Sequence, residues 1–316
     1  MSIKRRYLAE IGHAAAAIPV FDTSDVAATR EGVRQYVEGL IASGAKRPSD
    51  PSVREEEFTI SGPPGAPDIR LRVYTPPAAA ASGSAFVNFH GGGFFMGDLE
   101  SEHLRCLTMT RDAGAVSIGV EYRLAPEHPY PAAAEDCYRA LEWTSENAER
   151  LNIDPGRIAI GGGSAGGALS AAIALMARDR GGPGIALQML FYPGLDDRGA
   201  SASMIGGDDC HIWNSKNCRD MWDHYLGRDR DDVPAYAAPA RATDLSGLPA
   251  AYIVTCEHDP LRDEAFEYSA RLMASGVPVE LHNYAGTVHA FDMLIACDAT
   301  DQCLRESVAT FARFTA

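Results

Sequence analysis

Apolar positions first recur along the chain at a helical period. Val33, Tyr36, Val37, Leu40 and Ile41 fall at i, i+3, i+4, i+7 and i+8, one face of a helix that Thr23 or Ser24 can cap and Gly44 can end. Pro48, Asp50 and Pro51 follow as a linker. Residues 1–50 therefore read as a separate helical piece, too small for a core of its own and expected to dock on the rest. The period then changes to two. Residues 55–60 and 69–75 alternate apolar and polar and are joined by Ser61-Gly62-Pro63-Pro64-Gly65, an antiparallel pair. Short apolar runs of the buried-strand type follow at 85–89, 115–120, 157–160, 186–192, 250–256 and 279–284. Helical patterns at 132–147, 165–178 and 263–275 lie among them, and one at 300–314 closes the chain. This alternation predicts βαβ units, hence an α/β fold with a mainly parallel eight-stranded sheet flanked by helices.

One stretch breaks the rhythm. Residues 199–249 carry no strand pattern but hold Trp213, Trp222, Tyr225 and Tyr236 among Asp, Asn and Gly. An insertion of this length between strands is usually functional. With residues 1–50 it can build a helical cap over the carboxyl ends of the strands, where α/β sheets bind ligands. The expected division is thus 1–50 as cap helices and 51–316 as the body, with 199–249 contributing to the cap. The competing reading of 199–249 is a solvated loop whose aromatics pack locally.

Composition narrows the partners. Across 316 residues, 46% hydrophobic and 22% charged content suit a soluble α/β domain, and a net charge of −15 disfavours nucleic acid and anionic membranes. Lys4-Arg5-Arg6 precedes an Ala-rich run, but Glu10 and His13 interrupt any signal-peptide core, and no apolar run is long enough to span a bilayer. The seven cysteines show no C-x-x-C spacing and read as free thiols of a reducing, cytoplasmic compartment. Cys210 and Cys218, in one polar segment, are the pair most open to bonding.

The candidate chemistry centres on Ile158-Ala-Ile-Gly-Gly-Gly-Ser-Ala-Gly-Gly167, a strand, a tight turn and a helix start. Gly162-x-Ser164-x-Gly166 fits a nucleophile elbow, which exposes the serine Oγ and leaves the Ala165 amide free to bind an oxyanion. The same letters also fit a dinucleotide loop, Gly161-x-Gly163-x-x-Gly166, with Asp196 as the ribose-binding acid, and a glycine turn without chemistry. His90-Gly91-Gly92-Gly93 after a strand adds a second loop whose amides can approach a ligand closely. Asp259 follows the strand at 250–256 and His289 the strand at 279–284, so the order is serine, acid, histidine. Asp196, Glu257 and Asp263 compete with Asp259 for the acid. Pro260 restricts Asp259 to extended backbone and so favours a fixed carboxylate, whereas Asp263 opens a helix.

These pieces resemble the hormone-sensitive-lipase-like branch (bacterial family IV) of the α/β-hydrolase esterases. The motifs that carry the resemblance are His90-Gly-Gly-Gly-Phe94, Tyr122-Arg-Leu-Ala-Pro-Glu-His-Pro-Tyr-Pro-Ala132, Gly162-Gly-Ser-Ala-Gly-Gly167, Asp259-Pro-Leu-Arg-Asp-Glu264 and His289-Ala-Phe291, in that order. The resemblance implies an α/β-hydrolase fold and a serine carboxylesterase with Ser164 as nucleophile, His289 as base and Asp259 as acid. It implies oxyanion donors at the amides of Gly91, Gly92 and Ala165, and no metal or cofactor. The preferred substrate would be a small short-chain acyl ester, and the only macromolecular partner to consider is a second copy of the chain. Phe94, Phe95 and Trp213 are the expected walls of the substrate pocket. One position departs: the family often carries an acidic residue just before the serine, and Gly163 stands there. Receptor-like members that bind a ligand without turnover lack the histidine, which this chain has, and peptidases of the superfamily share the triad.

Overall fold

In each central strand, consecutive side chains enter opposite layers, and this alternation organises the computed structural model, which describes residues 5–316. In β3 (Ala85–Phe89), Phe86 faces one layer and meets Phe311 edge-on at 6.1 Å, while Val87 and Phe89 face the other. Both faces are thus buried, as the uninterrupted apolar runs require.

The strands are β1 (Arg54–Ile60), β2 (Ile69–Thr75), β3, β4 (Val116–Glu121), β5 (Ile158–Gly163), β6 (Leu187–Phe191), β7 (Ala250–His258) and β8 (Val279–Val288). They form one eight-stranded sheet of order β1-β2-β4-β3-β5-β6-β7-β8. The β1/β2 and β2/β4 pairs are antiparallel and the remaining pairs parallel, so the sheet is mainly parallel and β1/β2 is the antiparallel pair expected from the sequence.

Two N-terminal helices come first, α1 (Ala9–Ala17) and α2 (Val26–Ala42). The others are α3 (His103–Ala113), α4 (Ala132–Glu146), α5 (Ala148–Leu151), α6 (Ala165–Arg180), α7 (Ala202–Ile205), α8 (Ser215–Leu226), α9 (Arg262–Ala274), α10 (Phe291–Leu294) and α11 (Asp298–Phe314). Side chains of α4, α6 and α9 pack on one face of the sheet, and those of α1, α3, α10 and α11 on the other. No helix is long and apolar enough to cross a membrane among the described residues.

Three details differ from the sequence reading. Helix α3 has no expected counterpart, because its segment mixes His, Arg and Thr with few strong apolar positions even though most of it is buried. Helix α2 is capped by Asp25, whose carboxylate accepts the Ala28 amide, and not by Thr23 or Ser24. Thr23 instead bonds to Asp220 and Asn217 of α8. Finally, the apolar stripe of α2 does not enter the core: Thr29 is its one buried residue, and Val37, Leu40 and Ile41 stay largely exposed. What docks α2 is Arg30, which donates to the carbonyls of Phe95 (2.6 Å) and Ala125 (2.9 Å) and pairs with Glu127. The seven cysteines, Cys210 and Cys218 included, are unpaired.

Candidate active site

Ser164 joins β5 directly to α6 and holds φ 58°, ψ −117°, a conformation that side chains other than glycine rarely adopt. The chain can turn this sharply because its neighbours lack side chains. A Cβ on Gly162 or Gly166 would lie 1.9 or 1.8 Å from the Phe89 carbonyl oxygen, so β3 rests directly on the elbow. The Ser164 amide donates to the Phe191 carbonyl at 2.8 Å, anchoring the turn to β6.

Ser164 Oγ lies 2.9 Å from His289 Nε2, and His289 Nδ1 lies 2.7 Å from Asp259 Oδ2. The three come from the ends of β5, β7 and β8, and each is at least 95% buried. The other Asp259 oxygen accepts the Leu261 amide at 2.9 Å, which fixes the carboxylate's direction. The rival carboxylates are occupied elsewhere. Asp196 pairs with Arg198, Glu257 accepts the Gly286 amide, and Asp263 accepts the Ser203 amide. This arrangement can transfer a proton from a hydroxyl to an imidazole whose tautomer is set from behind.

The oxyanion loop departs from the expected donor set. The Gly91 amide is not free, because it donates to Glu102 Oε1 at 3.0 Å. The amides of Gly92, Gly93 and Ala165 have no acceptor among the described residues, and all three residues border or adjoin the cleft. Among the described residues, the amides left free beside Ser164 are therefore those of Gly92, Gly93 and Ala165. Tyr122 of the proline-rich motif supports this loop, donating its hydroxyl to the His90 carbonyl at 2.7 Å and stacking on the His90 ring at 4.2 Å. Burial lowers the pKa of His90, which keeps this imidazole neutral.

A cleft of about 320 Å³, largely apolar, opens above Ser164 and His289. Its walls include Val33, Tyr36, Val37 and Leu40 of α2, so the exposed stripe of that helix faces the ligand space. Trp213 lines the cleft and stacks on His289 with centroids 5.8 Å apart. Phe94 and Phe95 do not line it. Phe94 is buried against Tyr225 at 3.9 Å and Trp222 at 5.7 Å, and Phe95 against His224, tying the oxyanion loop to α8.

Comparison with known proteins now decides the family. The family model described as alpha/beta hydrolase fold matches residues 86–293, from β3 to just beyond His289. Esterase LipI of Mycobacterium tuberculosis is 41% identical over 83% of this chain and 81% of its own. The chain belongs to the α/β-hydrolase family, among its hormone-sensitive-lipase-like esterases. An arylesterase of Saccharolobus solfataricus is 36% identical over 82% of this chain and 83% of its own. Among solved structures, a bacterial heroin esterase superposes with a TM-score of 0.92 at 37% identity, covering 98% of both chains. This membership sets aside the dinucleotide reading of the glycine cluster at the end of β5.

In this hydrolase a buried ionic cluster, invisible in the sequence motifs, lies behind the elbow. Glu102 accepts both the Gly91 amide and the Gly163 amide (2.8 Å) on Oε1, and Arg105 Nε on Oε2 at 2.9 Å. The fully buried Arg105 guanidinium rests 3.6 Å from the Phe191 ring centroid and donates to Tyr192 Oη at 3.1 Å, with Asp292 Oδ2 at 3.2 Å. Burial alone would lower the Arg105 pKa, but Asp292 and Glu102 beside it hold it well above its ordinary value. Burial pushes the Tyr192 phenol up, so it stays protonated and donates to Asp292 at 2.7 Å. Its ring meets His289 edge-on at 4.9 Å. The sequence signal that could have pointed here is Gly163, the missing acid before the serine.

Proposed function

We propose that this hydrolase cleaves short-chain acyl esters in two steps through Ser164, His289 and Asp259. His289 Nε2 takes the Ser164 proton as Oγ bonds to the carbonyl carbon, and the carbonyl oxygen becomes an oxyanion facing the amides of Gly92, Gly93 and Ala165. Asp259 stabilises the imidazolium. Collapse breaks the bond to the alcohol oxygen, which leaves with the proton from His289 Nε2, and the acyl group remains on Ser164. Water, deprotonated by His289, then attacks the acyl-enzyme and releases the acid and the free serine.

The observation that carries this reading is the continuous pair of hydrogen bonds, 2.9 and 2.7 Å, from a strained serine to a buried carboxylate at the floor of an apolar cleft. A cleft of about 320 Å³ suits a small acyl group beside an apolar alcohol, and the arylesterase among the relatives favours an aryl leaving group. Residues 18–50 and 199–249 act as the cap over this cleft: α2 supplies one wall, and Trp213 with α8 holds the other side. The unpaired cysteines fit a reducing, cytoplasmic setting.

The test is labelling with a fluorophosphonate, with the adduct located by mass spectrometry, beside a panel of p-nitrophenyl esters from acetyl to dodecanoyl. The expected adduct is on Ser164, lost in Ser164→Ala, with acetyl to hexanoyl esters turned over fastest. An adduct elsewhere, or faster hydrolysis of emulsified long-chain triglyceride, overturns the reading.

A further inference from the structure

Glu102 has no part in the proton transfers above, yet one of its oxygens touches both loops that perform them. Gly91 opens the oxyanion loop, and its amide is 3.0 Å from Glu102 Oε1; Gly163 immediately precedes the nucleophile, and its amide is 2.8 Å from the same atom. The carboxylate cannot swing away. Its second oxygen is held by Arg105, which is itself fixed by the Phe191 ring, Tyr192 and Asp292. Glu102 borders the cleft but is only 5% exposed, so little solvent competes for these bonds.

Resting on the esterase reading, we infer that Glu102 is a positioning residue, a clip that sets the distance between the oxyanion donors and the nucleophile by binding the Gly91 and Gly163 amides with a single oxygen. Gly163 is the complement of this clip. A Cβ there would lie 2.8 Å from Glu102 Oε1 and 2.9 Å from Tyr192 Cε2, so the residue before the serine must lack a side chain for the carboxylate to reach its amide. The acid that the family often carries beside the serine is thus replaced here by one arriving from the turn before α3. The clip acts on the transition state and not on substrate binding, because Gly92 and Gly93 meet full negative charge only once the oxyanion forms.

The bland alternative is that Glu102 merely balances the buried charge of Arg105. Glu102→Asp separates the two, since it keeps the charge but shortens the reach by a methylene. Glu102→Gln keeps the reach but must set its NH2 against either Arg105 or the two amides. Both variants, with Glu102→Ala, are compared with wild type for kcat, KM, Tm, and affinity for two inhibitors. One is a trifluoromethyl ketone that forms a tetrahedral adduct with Ser164; the other is the product alcohol. The expected result is a fall in kcat of about 100-fold for Ala and Asp and about 10-fold for Gln, with KM within about threefold. Ketone affinity falls in parallel while alcohol affinity holds. Should Glu102→Ala fail to fold, Asp and Gln decide. If kcat in both stays within about threefold of wild type, or if ketone and alcohol affinities fall together with Tm, Glu102 is structural only and the inference is overturned. A wild-type protein that turns over no ester sinks the esterase reading instead, so the two failures are distinguishable.

Discussion

Replacing Asp259 by asparagine isolates the least accessible part of the candidate triad. Asn is nearly isosteric, and its carbonyl oxygen can still accept the Leu261 amide that Asp259 Oδ1 accepts at 2.9 Å, so the loop after β7 should keep its shape. The change falls on the other side. At 2.7 Å from His289 Nδ1, an NH2 group now stands where a carboxylate oxygen stood, and it demands that Nδ1 be an acceptor. The ring proton then moves to Nε2, which faces Ser164 Oγ at 2.9 Å and can no longer take the serine proton. With the Asp259 side chain about 1% exposed, no water can restore the lost charge. By the precedent of serine proteases the loss is on the order of 10⁴ in kcat, about 5 kcal/mol of transition-state stabilisation. KM for p-nitrophenyl acetate should change little, because Asp259 lies behind the histidine and does not line the cleft. The assay is steady-state hydrolysis of that ester, normalised by fluorophosphonate titration, with Tm as the check on folding. Asp196→Asn, Glu257→Gln and Asp263→Asn serve as controls and should each stay within about tenfold of wild type, since their carboxylates hold Arg198 or backbone amides. Should Asp259→Asn retain more than about a hundredth of kcat while Asp196→Asn cripples the protein, the acid assignment is refuted, though Ser164 and His289 could stand.

Gly166→Ala should destabilise by about 3 kcal/mol or more in urea unfolding, because its Cβ would press within 1.8 Å of a backbone oxygen that cannot yield as a side chain would; a stability within 0.5 kcal/mol (on the order of surface-substitution noise) would contradict the close approach of β3 to the elbow. Arg30→Ala removes the bonds that fasten α2 beside the cleft and should raise KM several-fold for bulky aryl esters while leaving kcat for acetyl esters within about twofold. Equal kinetics on both would show that α2 is no part of the binding wall. Trp213→Ala should shift the p-nitrophenyl chain-length optimum upward by opening the cleft beside His289, whereas Phe94→Ala should leave that optimum alone and cost about 3–5 kcal/mol of stability, as loss of a buried aromatic does. The reverse pattern would restore Phe94 as a pocket residue.

The contrast between Phe94 and Trp213 shows what the sequence carries and what it withholds. The sharp turn at Ser164 and the sheet were legible because each is enforced locally: Ser164 needs small neighbours within two residues, and a strand buried on both faces needs an unbroken apolar run. Phe94 follows the glycine loop and Trp213 sits in the insertion at 199–249, and no local rule says which way a loop side chain turns. That is decided by Tyr225, Trp222 and His224, which α8 brings up from far along the chain. Helix α2 makes the same point in reverse. Its periodic stripe announced a buried face, but periodicity reports only that apolar side chains share a side, and here that side lines the space above Ser164. The Gly91 amide is the sharpest case. Its motif marks it as a donor, yet Glu102, in a turn with no periodic signal, reaches it first, and the amides of Gly92, Gly93 and Ala165 are the ones left without an acceptor among the described residues. Local spacing, then, specifies the backbone frame of this site, and the occupancy of each donor depends on side chains that only the folded chain brings within reach.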